Sequence, residues 1–431
     1  MYSRRFLQGN GHSEYSVRKG DDMKKNLLVA QSGGPTAAIN ATLAGVIRAA
    51  NEREEIDNVY GALYGIQGVL QERFIDLNQI VDTEEKLEKL RVTPAAALGS
   101  CRFKLTPIEK DDSQYRQIVD IFHKNNIGYF VYIGGNDSMD TVAKLAKYCS
   151  DNCIDDIQVI GGPKTIDNDL VGIDHCPGFG SAAKYIAAVF AELEQEMCVY
   201  DTKSVIVVEM MGRHAGWLTA AAALADVANV DVPYLIYLEE RPFSIDRFID
   251  DLNAKLKDYD AVMIAVSEGV HDENGVFICE SVAASKGVDV FGHVQLSGTG
   301  KILENAIKDR IGCKVRSIEL NLLQRCASHI LSATDIEESM LLGENAVKLA
   351  VSRQSGLMSS LRRVSDSPYR VVYEGVDIQK VANAEKKIPQ NWINKAGNNV
   401  TQECINYLRP LVAGEMTCKF KDGVPDYMIL K

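Results

Sequence analysis

The chain has 431 residues, 46% hydrophobic and 25% charged, which is ordinary for a globular protein and long enough for two domains around a large core. Its formal charge of −12 argues against a broad nucleic-acid surface, and no apolar run reaches the ~18 residues of a membrane span. An anionic ligand therefore needs a local cluster of cations.

Met1 to Asp22 is polar, has no apolar periodicity and lacks the apolar core of a signal peptide. It reads as a disordered extension, or as an upstream start to a chain whose working start is Met23. The 10 cysteines are scattered without metal-like clustering; Cys149 and Cys153 stand a helical turn apart, but no second pair answers them. Reduced thiols in the cytoplasm are the expectation.

From Asn26 onward strand, glycine turn and helix recur. Strands are expected at Asn26–Ala30, Val59–Tyr64, Ile127–Ile133, Asp156–Ile160, Lys203–Val208, Tyr234–Leu238 and Ala261–Val266, with a helix over Thr36–Arg48. Short apolar strands alternating with helices imply a parallel sheet covered on both faces, whose ligands sit outside the carboxyl ends of the strands. Five loops fall there: Gly33-Gly34, Gly134 to Ser138, Gly161 to Asp169, Met210 to Gly216, and Ser267 to Gly269. No Pro- or Ser-rich linker divides the chain. After Gly375 a helix over Asp377–Lys387 and irregular structure are expected, with no polyphosphate chemistry.

The first turn, Gln31-Ser-Gly-Gly-Pro-Thr36, lets backbone N–H groups approach phosphate oxygens, although such a Gly-Gly is more often a tight turn alone. Gly134-Gly-Asn-Asp-Ser138 sets two metal-capable side chains at a helix start, where capping is the plainer role. Pro163-Lys-Thr-Ile-Asp-Asn-Asp169 carries the most chemistry. Asp167 and Asp169 alternate, close enough for each to raise the other's pKa and so favour a base. Lys164 adds a point charge for a polyphosphate, about 4 kcal/mol at ~4 Å and an effective dielectric of ~20, before desolvation. Arg213 suits a transferring phosphoryl group, while His214 reads as a packed or surface residue. Arg316, Arg325 and Glu268 supply a phosphate fork and a sugar-hydroxyl acceptor.

In this order the stations resemble the phosphofructokinase family, from about Asn26 to about Met358. The resemblance implies an α/β protein of two similar Rossmann-like three-layer subdomains, with mainly parallel sheets and the active site in the cleft between them. It implies a donor-binding subdomain of residues 23–178 plus 324–374 and a sugar-phosphate subdomain of 179–323 plus 375–431. Thr165-Ile-Asp-Asn-Asp169 is similar to the catalytic signature, with Asp167 as base toward the 1-hydroxyl of fructose 6-phosphate and Thr165 and Ile166 beside it. Met211-Gly212-Arg213, Glu268, Arg316 and Arg325 are similar to the substrate-binding positions, and Gly34, Arg102 and Lys164 to the phosphate-donor positions.

ATP-using members resemble Gly-Gly-Asp-Gly-Ser and Pro-Gly-Thr-Ile-Asp-Asn-Asp; here Asp137 and Lys164 replace those glycines, as in the pyrophosphate-dependent branch. Asp137 would repel an α-phosphate, and Lys164 would fill its space and neutralise the leaving group, so both are expected to be catalytically important. Mg²⁺ is implied, with Asn136 standing where the family has an aspartate and Asp169 as the other candidate. Leu322 replaces a polar group of the sugar-phosphate site. Phe291–Leu296 resembles an arginine-bearing segment but lacks the arginine. Diphosphate and fructose 6-phosphate are the implied partners, with no nucleic acid or membrane, in a homodimer or homotetramer whose subunits share Arg316. An ATP-dependent enzyme, a silent regulatory subunit and, on fold alone, a dinucleotide-binding oxidoreductase are the alternatives; the last lacks Gly-x-Gly-x-x-Gly after the first strand.

Overall fold

The computed structural model describes residues 24–199, 201–225, 232–280 and 298–430. The Met1 to Asp22 extension and the Phe291–Leu296 segment lie outside them. Among the described residues the chain forms two large sheets and two short two-stranded ones. The larger has seven strands: β1 (Lys25–Gln31), β2 (Ile56–Ala62), β3 (Phe74–Asp76), β4 (Ile127–Gly134), β5 (Gln158–Pro163), and, after the two-residue β10 (Leu331–Ser332), β11 (Leu357–Asp366) and β12 (Tyr369–Asp377), in the order β12-β11-β5-β4-β1-β2-β3. Its centre is parallel, while the β2–β3 and β11–β12 pairs at its edges are antiparallel. The smaller sheet is wholly parallel, in the order β7-β8-β6-β9, built from β6 (Ser204–Met210), β7 (Tyr234–Tyr237), β8 (Ala261–Ser267) and β9 (Lys314–Glu319).

Each central strand is apolar on both faces because each sheet is sandwiched. In β1, Leu27 and Val29 enter one core and Leu28 and Ala30 the other. In β6, Val205 and Val207 face the helices Ile245–Lys255 and Thr299–Arg310. Ile206, Val208 and Met210 face the helix Phe179–Met197. Successive residues of a strand point to opposite faces, so an unbroken apolar run marks burial on both sides. The result is two three-layer units with mainly parallel sheets.

On the larger sheet the helices Ile39–Asn51 and Ala333–Val351 lie backbone to backbone. A Cβ on Gly45 would stand 1.9 Å from the Met340 carbonyl oxygen, and one on Gly343 2.1 Å from that of Thr42. Only glycine permits this approach. The chain end divides: Ile388 to Leu411 joins the small-sheet core, whereas Cys418 and Leu430 pack on the large-sheet side.

The helix expected over Asp377–Lys387 is absent. Asp377 ends β12, a single 3-10 turn covers Ile378–Lys380, and Glu385 then pairs with Leu170 in an antiparallel bridge. Backbone pairing with the Asp167–Leu170 loop outcompetes a weak helical pattern. Among the described residues no helix is long and apolar enough to cross a membrane. All ten cysteines are free thiols.

Candidate active site

The five glycine-bearing loops converge where the carboxyl ends of the two sheets meet, enclosing a cavity of about 640 Å³. Its wall carries Gly33 and Gly34 from the end of β1, Asn136 and Asp137 from β4, and Lys164, Asp167 and Asp169 from β5. Met211, Arg213 and His214 come from the end of β6, and Glu268 from β8. Arg102 and Arg325 complete the basic side, and Thr165 and Ile166 line the floor between Lys164 and Asp167.

Gly33 has φ of 74°, which lets the first turn fold under the cavity. Lys164 lies against it: the ammonium donates to Gly34 O at 2.6 Å, and a Cβ on Gly33 would stand 3.3 Å from that nitrogen. Lys164 is only 2% exposed. Burial lowers its pKa to about 8, although Asp167 pulls the other way. Burial, then the charge of Asp169, raises Asp167 to about 7, with Lys164, Arg325 and Arg213 opposing. Glu268 is pushed up to about 8 by burial and then by Asp167, while Gly212 N–H donates to its Oε1 at 3.3 Å. A base near neutrality thus faces a second carboxyl, both within a cationic rim, which suits removal of a hydroxyl proton beside a polyphosphate.

Between the two aspartates, Asn168 sits at φ 56°, a left-handed conformation that Asn tolerates better than most residues. Asn136 Nδ2 donates to Asp169 Oδ2 at 2.9 Å. Asn136 Oδ1 and Asp169 Oδ1 are buried with no hydrogen-bond partner among the described residues. Two orphaned oxygens, one carbonyl and one carboxylate, on side chains already in contact, fit a hard divalent cation that takes its other ligands from water and phosphate.

Most of the expected site residues meet here. Arg316 does not: it lies exposed on β9, the edge strand of the smaller sheet, away from its own chain's cavity. Gly212 contributes through its bond to Glu268 rather than as wall. Leu322 is 53% exposed. Sequence reasoning missed Lys104, whose ammonium is 3.0 Å from Asp137 Oδ1. The Arg102-x-Lys104 spacing was its only signal. His214 lines the cavity although it reads as a packed or surface residue, and Asn383 and Glu385 reach the wall from a segment in which no such chemistry was expected. Nothing local to Asn383 or Glu385 marks them, since the bridge to Leu170 brings them there.

The family model for phosphofructokinase matches residues 26–348. The chain belongs to the phosphofructokinase family. It is 39% identical over 409 residues to pyrophosphate–fructose 6-phosphate 1-phosphotransferase of Methylococcus capsulatus, covering 94% of this chain and 96% of the relative. The Halomonas elongata protein of the same name is 40% identical over 404 residues, covering 93% and 94%. Among solved structures, the pyrophosphate-dependent phosphofructokinase of Nitrosospira multiformis superposes with a TM-score of 0.84 at 37% identity, covering 95% of this chain and 97% of that one.

In this phosphofructokinase the buried ammonium of Lys164 has a readable consequence. Its charge is lost as pH rises through about 8. The value of kcat/KM for diphosphate, corrected for the ionisation of diphosphate itself, is expected to fall on that alkaline limb. Lys164→Arg, whose guanidinium stays charged, should flatten the limb whatever its effect on the maximum. An alkaline limb unchanged in the variant would assign it to another group.

Proposed function

We propose that the protein transfers a phosphoryl group from diphosphate to the 1-hydroxyl of fructose 6-phosphate, reversibly, giving fructose 1,6-bisphosphate and phosphate. Asp167 takes the hydroxyl proton, the sugar oxygen attacks the near phosphorus, and the bond to the bridging oxygen breaks to release phosphate. Lys164 and Arg213 carry the charge that develops on the transferring and leaving groups, with Gly34 and Arg102 toward the donor. Met211, Gly212, Glu268 and Arg325 hold the sugar phosphate. Diphosphate and the product ester are close in transfer energy, so the step serves glycolysis and gluconeogenesis alike.

The observation that carries diphosphate as donor is Lys164. Its ammonium rests on the first phosphate turn, in ground that a glycine would leave open, and the 37–40% identical relatives named for pyrophosphate support the same reading. Asp137 contributes less to excluding ATP than its charge alone implies, because Lys104 partly neutralises it.

Asn136 and Asp169 would hold Mg²⁺, which supplies charge neutralisation to the diphosphate oxygens when bound. The donor-binding unit is drawn as residues 23–178 with 324–374, and the sugar-phosphate unit as 179–323 with 375–431, save that Ile378, Val381, Cys418 and Leu430 pack on the donor side. An exposed Arg316 on a sheet edge supports a homodimer or homotetramer in which one subunit lends this arginine to its neighbour. The free thiols support a cytoplasmic setting.

Side-by-side turnover with diphosphate and with ATP tests the assignment. Activity is expected with diphosphate and Mg²⁺, and loss of activity with a chelator. Sustained turnover with ATP alone would instead indicate an ATP-dependent phosphofructokinase, and an inert purified chain a regulatory subunit.

A further inference from the structure

We propose that Lys386 is a positioning residue for the phosphotransfer, the centre of a strap, Glu385–Ile388, that holds the Asp167 loop and the Arg213 loop in register. The proposal rests on Asp167 as the base.

On one side the strap grips the Asp167 loop. Lys386 N–H donates to Asp169 O at 2.7 Å, and Glu385 bridges to Leu170. The Lys386 ammonium turns inward and donates to Asn168 Oδ1 at 3.2 Å, Ile173 O at 3.3 Å and Asp174 O at 2.7 Å. An ammonium has three donors, and all three are used. Asn168, the left-handed residue between the two aspartates, is fully buried and also accepts from Cys176 N–H at 2.9 Å. Whatever fixes Asn168 fixes the directions of Asp167 and Asp169.

On the other side the strap grips the loop that carries Arg213. Trp217 Nε1–H donates to Lys386 O at 3.0 Å, and the Lys386 ammonium lies 5.5 Å from the Trp217 ring centroid. Lys387 is ion-paired with Glu239 at 3.2 Å. Glu240 Oε1 accepts from both Ile388 N–H and Gly216 N–H, each at 3.0 Å. One short segment therefore ties the end of β5 in the larger sheet to the end of β6 in the smaller. The separation of Asp167 and Arg213, base and phosphoryl clamp, depends on it. Small misplacement of reacting groups lowers rate far more than affinity.

The test compares wild type with Lys386→Met, Lys386→Arg and Trp217→Phe, measuring kcat, each KM and the number of fructose 6-phosphate sites by calorimetry. Lys386→Met is expected to lower kcat about 10²-fold, with each KM within about threefold and the full number of sites. Lys386→Arg, which keeps a cation, should recover about tenfold of that loss, and Trp217→Phe should lose about threefold in kcat. Unchanged kcat in Lys386→Met overturns the proposal. So does a loss that tracks missing sites, or an arginine variant as impaired as methionine. Should Lys386→Met not fold, wild-type kcat in Trp217→Phe overturns it. Each variant is scored against wild type with the donor that wild type uses, so the donor assignment and the strap fail separately.

Discussion

Replacing Asp167 by Asn is expected to lower kcat about 10²–10⁴-fold while fructose 6-phosphate still binds. Asn keeps the shape of the loop but cannot accept the hydroxyl proton. The magnitude follows from how the site tunes this carboxyl. Burial and Asp169 raise it from 3.8 to about 7, a cost of about 4 kcal/mol to the charged form. A carboxylate so disfavoured is a much stronger base than a solvated one, yet it remains ionised in part near neutrality. Binding should hold, because Arg325 and the β6 loop, proposed above to hold the sugar phosphate, are untouched. Stopped turnover with intact calorimetric binding is the outcome expected. Activity within a few-fold of wild type would remove Asp167 as base and point to Glu268, the carboxyl it faces.

Lys164→Gly is expected to lower diphosphate-dependent kcat about 10²–10³-fold, the worth of a preorganised charge on the leaving group. Glycine also opens the space beside Gly33 that the ammonium now occupies, so weak ATP turnover should appear. Pairing it with Asp137→Gly should raise ATP turnover further, though modestly. The Asp137–Lys104 pair is half-exposed, and such pairs contribute little, about 0–1 kcal/mol. Steady-state rates with both donors decide the matter. Undiminished diphosphate turnover in Lys164→Gly would place the lysine off the donor.

Much of this site is legible without coordinates, and the reason is local. Strands buried on both faces leave apolar runs, so β1, β4, β6 and β8 lie where Asn26–Ala30, Ile127–Ile133, Lys203–Val208 and Ala261–Val266 indicate, with ends shifted by a few residues. Ligand loops then follow from the strand ends. Residues that arrive through long-range pairing leave no such trace. Asn383, Glu385 and Lys386 belong to a polar stretch with helical spacing, and only the bridge to Leu170 brings the first two to the cavity and the third behind the Asp167 loop. Arg316 is the converse case: its motif is plain, yet its place on β9 keeps it from its own cavity.

The glycine contact between the helices Ile39–Asn51 and Ala333–Val351 bears on how the chain is made. The first helix cannot be buried until a partner almost three hundred residues later has been synthesised, and β5 stays unpaired along one edge until β11 follows. The strands of the smaller sheet, by contrast, come from one continuous stretch, Ser204 to Glu319, and can pair earlier, although its core still waits for Ile388 to Leu411. Long-separated contacts fold slowly and leave apolar surface open meanwhile. Chains truncated before Ala333 should therefore carry an unfinished, aggregation-prone large sheet beside a small one whose core lacks Ile388 to Leu411, and it is during birth rather than in service that this enzyme is most in need of a chaperone.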